Sequence, residues 1–374
     1  MVKEEPVVGL LKSSCMDKKI LFLSGHLYFS KRKAGFHHLA NAALALKTFN
    51  VTFLTAPNSI LTIFKKDPNR KERNLSIKYA FLPYSKDNLT ASSYFSLAHN
   101  VTTDIFQSIQ NLLFKIGYSK VLSKKYDYVV FESGVSLFLF DRVKKYNPNA
   151  KFIYRVSDDL EMLNHKILLL DQEERLLDKF DLISSPSNYI TNRLKGLNQN
   201  IRIKNHYHGI DKPLFDSCSK NPYNNDYINL IFVGTGYLDE EFLKIVKNIN
   251  NNWIFHIIGS FTNQIESVNI IYHGEMPFID TLDYIKYADV GMQIRNNVKG
   301  IEILEKSLKF IQYSYFKLPI LAPKYMKLKD VNVFSYEHNR DNIVIEIEKC
   351  LKFEKSDYDN SWISSWDEVL GEII

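Results

Sequence analysis

Short uninterrupted apolar runs, each stopped by glycine or a small polar residue, dominate the second half of the chain. Leu230 to Val233 is such a run, and Gly234 and Gly236 follow it directly, before an acid-rich helix start at Asp239, Glu240 and Glu241. A second run, Trp253 to Ile258, ends in Gly259-Ser260, and a third, Val268 to Tyr272, ends in His273-Gly274-Glu275-Met276. The last unit places Ser307, Lys309 and Gln312 on one helix, ahead of the apolar strand Leu318 to Leu321. Strand-loop-helix units repeated in this way build a parallel sheet, whose ligand site lies beyond the carboxyl ends of the strands. Glycines there let backbone N–H groups approach a phosphate, and helix N-termini favour its negative charge. The half reads as a nucleotide-handling domain.

The first half alternates in the same manner. Lys19 to Ser24 is an apolar strand ending in Gly25-His26, and the stretch Phe36 to Leu46 carries Leu39, Ala42, Ala43 and Leu46 at helical spacing. Further strands are expected at Val51 to Thr55, Ile77 to Leu82, Tyr128 to Phe131, Phe152 to Val156 and Leu182 to Ser184. Tyr94 to Tyr118 reads as helix. The strand at Phe152 ends in Ser157-Asp158-Asp159. The stretch from Lys204 to Asn225, with Pro213, Pro222 and several asparagines, reads as the interdomain link. The resulting class is α/β, with three segments: 1–205, a first Rossmann-like domain; 206–350, a second; and 351–374, a C-terminal helix packing back toward the first.

Charge separates the halves. Residues 1–200 carry a net +11 and residues 201–374 a net −5, within an overall +6. The densest basic clusters are Lys31 to Lys33 and the stretch Lys65, Lys66, Arg70, Lys71 and Arg73. A basic half joined to an acidic one fits an anionic partner, phospholipid headgroups or a diphosphate above all, as well as a merely solvated surface. No nucleic-acid motif accompanies these residues. Tyr28, Phe29 and Phe36 beside Lys31 to Lys33 are candidates for an interfacial membrane patch. Cys15, Cys218 and Cys350 have neither metal-ligand nor redox spacing, which fits a reducing compartment. No apolar run reaches the roughly 18 residues that span a bilayer, and a cytoplasmic protein is expected.

Two Rossmann-like halves joined by a linker describe the GT-B architecture, in which the halves face each other across a cleft. The tract HGEMPFIDTLDYIKYADVGMQIR, with SLKFIQYSYFKLPILAP after it, resembles the nucleotide-sugar domain of GumK-like, membrane-associated glucuronosyltransferases of the xanthan type. KRKAGFHHLANAAL, FIYRVSDDL and HGIDK resemble segments of their first half and linker. The resemblance implies a glycosyltransferase of exopolysaccharide or capsule synthesis, peripheral on the inner face of the plasma membrane. It would move a sugar, glucuronate as the leading donor, from a UDP-sugar to a polyprenyl-diphosphate-linked oligosaccharide acceptor. It would do so with inversion and with no metal or other cofactor. Residue by residue, Asp158 matches the catalytic base, and Glu275 and Met276 match contacts to the base and ribose. Ser307, Lys309 and Gln312 match the cluster around diphosphate and sugar, and Asp211 an acid at the linker. Gly234 and Gly236 belong to the nucleotide-binding loop. Arg295 departs from the pattern, standing where the family has tyrosine, and opens the question of the donor sugar.

The residues support this chemistry in their own terms. An inverting transfer needs one carboxylate to take the acceptor hydroxyl's proton; Asp158 and its neighbour Asp159 both stand at a strand end, and either alternatively serves as a helix cap. Lys309 and the helix N-terminus near Ser307 supply fixed positive charge for the leaving diphosphate, and no D-x-D pair stands at a strand end to hold a cation. Retaining members of this fold carry a pair of acids eight residues apart; here Glu302 and Glu305 are three apart, which favours inversion over a retaining transferase or an epimerase of a polysaccharide pathway. The pairs His37-His38 and His206/His208 lack partners spaced to complete a metal site, though His37 and His38 stand at the start of the first helix, where an acceptor would approach. Trp362 and Trp366, four apart, are expected to anchor a terminal helix.

Overall fold

A computed structural model describes residues 18–30, 33–59, 77–96, 114, 116–162, 167–224, 226–234, 236–247, 249 and 252–374. Lys31, Arg32, Cys15 and the basic stretch from Lys65 to Arg73 lie outside the described residues. The chain divides into two compact units: Met1–Ser185 with Thr191–Asn205 and Leu370–Ile374, and Pro186–Ile190 with His206–Val369.

The first unit holds an eight-stranded sheet in the order β3-β4-β2-β1-β5-β6-β7-β8. Its strands are β1 (Lys18–Ser24), β2 (Phe49–Ser59), β3 (Tyr84–Lys86), β4 (Leu89–Ser96), β5 (Tyr128–Glu132), β6 (Lys151–Arg155), β7 (Leu182–Ser185) and β8 (Ile203–Asn205). All neighbours pair in parallel except the short β3 against β4. Helices α1 (Gly35–Ala45), α2 (Phe140–Tyr146), α3 (Ile167–Leu176) and α4 (Asn188–Leu197) connect them, except that α4 up to Ile190 belongs to the second unit. The central strands are buried on both faces, which is why Ile20 to Leu23 and Val129 to Phe131 read as continuous apolar runs rather than alternations.

The second unit has six parallel strands in the order β11-β10-β9-β12-β13-β14. They are β9 (Ile228–Val233), β10 (Trp253–Ile258), β11 (Ile270–Gly274), β12 (Val290–Met292), β13 (Ile320–Pro323) and β14 (Val333–Tyr336). Numbered within the unit this is 3-2-1-4-5-6, the doubly wound order whose reversal point lies between the first and fourth strands, here β9 and β12. Helices α5 (Lys212–Asp216), α6 (Glu240–Val246), α7 (Phe278–Lys286), α8 (Leu308–Tyr315), α9 (Arg340–Leu351) and α10 (Trp366–Ile373) complete the unit, except that Leu370 onward belongs to the first. Side chains alternate across the sheet: Ile231 and Val233 face the cluster with Phe310 and Tyr313, and Leu230 and Phe232 the cluster with Phe242 and Ile343. Gly291 is required by packing, because a Cβ there would lie 2.7 Å from the Tyr313 ring.

Four local expectations are corrected. Residues 77–81 are helical, not a strand: Ala80 is buried while Phe81 and Leu82 are exposed. Tyr94 to Ser96 belong to β4 rather than to a helix; the serines that disguise this strand are paired, Ser92 donating to the Tyr79 carbonyl at 3.0 Å and standing 3.1 Å from Ser119 Oγ. Phe36 is buried in the core, leaving Phe29 as the exposed member of the aromatic group proposed around it. Trp362 precedes α10, which begins at Trp366. Among the described residues no helix is long and apolar enough to cross a membrane.

Candidate active site

Each unit gathers its polar side chains at the carboxyl ends of its reversal-point strands. In the first unit these are β1 and β5. Glu132, the last residue of β5, is buried, and its carboxylate accepts hydrogen bonds from Ser24 Oγ at the end of β1 and from Ser157 Oγ at 2.8 Å. His26 Nε2 stands 3.7 Å from the same carboxylate. Burial raises the Glu132 pKa above its ordinary value, a rise that His26 opposes. Arg155, at the end of β6, is buried and donates to Ser184 Oγ at 2.7 Å; burial lowers its pKa to about 10, with Glu132 opposing.

This network sets the turn after β6. Ser133 Oγ accepts from the N–H groups of both Ser157 and Asp158, each at 3.1 Å. The adjacent acids then part. Asp159 is buried: Oδ1 accepts from the N–H groups of Glu161 (2.8 Å) and Met162 (3.3 Å), and Oδ2 pairs with Arg193 Nε at 2.8 Å. Arg193 also binds Glu173 at 3.0 Å. Asp158 is exposed. Glu132 and Ser133 were missed as site residues in the sequence; the available signal was an acid as the last residue of a central strand. His37 is buried, accepts from the Ala34 N–H at Nδ1 (3.1 Å) and places Nε2 2.9 Å from the Leu27 carbonyl. Burial lowers its pKa to about 4, and both ring nitrogens are engaged at the helix start.

In the second unit the loop after β9 carries Gly234 and Gly236, the latter at φ +70°, in the region that favours glycine. Gly259 at the end of β10 has φ +147°, and a Cβ there would come within 1.9 Å of the Gly234 carbonyl oxygen. Gly234 N–H donates to Ile258 O (3.0 Å) and Gly259 N–H to Gly274 O (2.9 Å), which ties three strand ends together. Arg295, three residues beyond β12, lays its guanidinium over the Phe232 ring at 5.6 Å and donates to the Gly236 carbonyl at 3.4 Å. Ser307 caps α8, accepting from Phe310 N–H at 3.3 Å, and Gln293 Nε2 donates to its hydroxyl at 3.1 Å. One turn on, Lys309 Nζ donates to Gln312 Oε1 at 2.8 Å. Gln293 was not singled out in the sequence, because a glutamine inside an apolar strand end carries no distinctive spacing.

The predicted residues fall into two sets. Gly234, Gly236, Arg295, Ser307, Lys309 and Gln312 surround the reversal point. Glu275 is exposed in the turn after β11 and Met276 packs on the apolar cluster below; among the described residues neither bonds to that set. Asp211 caps α5, accepting from Leu214 N–H at 3.2 Å.

The set's electrostatics favour an anion. Lys309 has its pKa lowered to about 8, by burial first and then by the Arg295 charge. Buried donor atoms Arg295 Nε and Gln312 Nε2 have no hydrogen-bond partner among the described residues. Buried donors and cations without acceptors are costly, and an anionic ligand with several oxygens relieves both costs.

An anion bound here would restore the charge of Lys309. Below pH 8 the lysine is already protonated; above it, binding must take up a proton, so affinity is lost as pH rises. Calorimetric titration with UDP is expected to show weakening above about pH 8. Lys309→Met should bind more weakly and without that slope. A wild-type affinity flat from pH 7 to 9 would remove Lys309 from contact with the anion.

Comparison with known proteins agrees with this anatomy. A family model for the N-terminal domain of the glucuronosyltransferase GumK matches residues 22–186. The chain is 27% identical over 250 residues to a UDP-glucuronate:glycolipid 2-beta-glucuronosyltransferase of Xanthomonas campestris pv. campestris, a match covering 65% of this chain and 62% of that protein. In fold it is similar to the N-terminal domain of Candida albicans trehalose-6-phosphate phosphatase (TM-score 0.62, 10% identity, 99% of this chain and 98% of that one). It is also similar to Anabaena HepE in complex with UDP (TM-score 0.58, 12% identity, 95% of each). The chain has the GT-B fold, and its residues 22–186 are similar to the N-terminal domain of GumK.

Proposed function

We propose that the protein is an inverting glycosyltransferase that moves a sugar from a UDP-sugar to a polyprenyl-diphosphate-linked oligosaccharide in surface-polysaccharide synthesis. The observation that carries this reading is the division of labour between adjacent acids: Asp159 is committed to Arg193 and the following turn, while Asp158 is presented to solvent from a turn fixed by Ser133. A base must meet the acceptor, and only the exposed carboxylate can do so. As the acceptor oxygen bonds to the anomeric carbon, its proton passes to Asp158 and the bond to the diphosphate breaks. Lys309 and the Ser307-capped helix start stabilise the charge left on UDP, the part that a metal ion plays elsewhere.

Glucuronate is the leading donor sugar, because the Arg295 guanidinium can hold a carboxylate through paired hydrogen bonds. Membrane docking through the first unit is supported by exposed Phe29, Phe81, Leu82, Ile116 and Tyr118, with Phe81 stacked on Tyr118, and by the +11 charge of residues 1–200. On this reading the enzyme is a peripheral protein on the inner face of the plasma membrane.

Three measurements test the reading. Asp158→Asn is expected to keep UDP-sugar affinity and lose ~10²- to 10⁴-fold in transfer rate, whereas Asp159→Asn should lower thermal stability first; an active Asp158→Asn enzyme would move the base elsewhere. Arg295→Ala should abolish preference for UDP-glucuronate over UDP-glucose. Equal losses for both donors would instead assign it to the diphosphate, and no change with either would leave it only a packing contact between Phe232 and Gly236. In flotation assays the protein should bind anionic vesicles at low salt and release at high salt, each surface-proximal basic residue contributing about 1 kcal/mol. Equal binding to neutral vesicles, or none to either, rejects the docking surface.

A further inference from the structure

Behind Arg295 lies a buried acid that the transfer reading leaves unused. Asp239 closes the loop after β9 and caps α6, its Oδ1 accepting from Phe242 N–H at 3.0 Å. A cap needs no more than that oxygen. Oδ2 collects three further side chains: Tyr336 hydroxyl at 3.1 Å, His338 Nε2 at 2.6 Å and Tyr325 hydroxyl at 3.4 Å. The Tyr325 hydroxyl has one proton, and its shorter contact is to the Arg295 carbonyl oxygen, to which it donates. Its ring stacks on His338, with centroids 5.8 Å apart and planes within 5°. The main chain adds Asp239 N–H to Ile294 O (3.3 Å) and Asn296 N–H to Tyr237 O (2.8 Å). The backbone of Arg295 is therefore gripped on both sides, while its guanidinium reaches back across the glycine loop to Gly236.

We propose that Tyr325, stacked on the His338 ring that Asp239 holds, is a positioning residue for Arg295, fixing the turn from which the guanidinium meets the donor and so setting donor affinity and donor choice. This rests on the reading of Arg295 as a donor contact. Donor selectivity would then depend on a hydroxyl that touches no substrate. A buried carboxylate oxygen that holds both Tyr336 and His338 is also stiff, since displacing either leaves a polar atom unpaired.

The test is a double-mutant cycle on the full chain, reading calorimetric Kd for UDP-glucuronate and UDP-glucose together with the melting midpoint. Tyr325→Phe keeps the ring stack and removes only the hydroxyl. It is expected to weaken UDP-glucuronate about 3- to 10-fold, as loss of one hydrogen bond would, and to shrink the ratio between donors. In the Arg295→Ala background the same change should add less than about 2-fold, because the group being positioned is gone. If Arg295→Ala alters binding but Tyr325→Phe does not, or if the two effects multiply independently, the positioning role is wrong and the donor reading stands. If Arg295→Ala leaves both donors unaffected, or the wild type binds neither, the donor reading falls and this proposal with it. Should Tyr325→Phe depress the melting midpoint strongly, His338→Ala against His338→Gln decides: the first should reproduce the loss of donor preference, and the second, retaining a donor to Asp239, should restore it. Identical ratios in both would overturn the proposal.

Discussion

A parallel sheet that winds first to one side of its opening strand and then to the other cannot cover that strand's carboxyl end with a helix. The two connections leave in opposite directions, and the gap between them is the one place where backbone polar groups and side chains meet solvent over a buried sheet. Both units obey this constraint, at β1/β5 and at β9/β12, and nearly every polar side chain of interest is a consequence of it. Ser24, Glu132 and Asp158 stand at one reversal point; Gly234, Arg295 and Lys309 surround the other. The fold supplies position, and the local residues decide what charge is held there.

The two sites hold charge in opposite ways. In the first unit a carboxylate is buried among hydroxyls, with an arginine and a histidine near it that oppose the cost of its burial. In the second, Lys309 and Arg295 press on each other and are answered by no described carboxylate. A site left short of negative charge favours a diphosphate. The proposed assignment of donor chemistry to the second unit agrees with that asymmetry.

Strands β1, β2, β5, β6, β7, β9, β10, β11 and β13 were legible because most parallel strands are apolar on both faces, and Ser307, Lys309 and Gln312 because a cap followed by a polar pair on a helical period is a local pattern. What failed was β4, where serines face other polar atoms inside the sheet and mimic a helix's polar side, and residues 77–81, whose apolar residues lie outward on a short helix. Glu132, Gln293, Asp239 and Tyr325 were not assigned roles for a different reason. Their partners are from 14 to 108 residues away, and no periodicity reports a contact that only the folded topology creates. The distinction between Asp158 and Asp159 likewise needed Arg193, which the chain brings back from 34 residues on.

Gly291 has no part in the chemistry, yet it sets a clearance. With no side chain at that point of β12, Tyr313 lies flat against the sheet and its hydroxyl reaches the Val233 N–H at 3.2 Å, at the last residue before the glycine loop. Tyr313 sits on the same helix as Lys309 and Gln312, one residue after the latter. The missing methyl group thus acts as a datum surface: it gauges how high the cation-bearing helix rides above the sheet, and the tyrosine fastens that height to the loop a phosphate would meet.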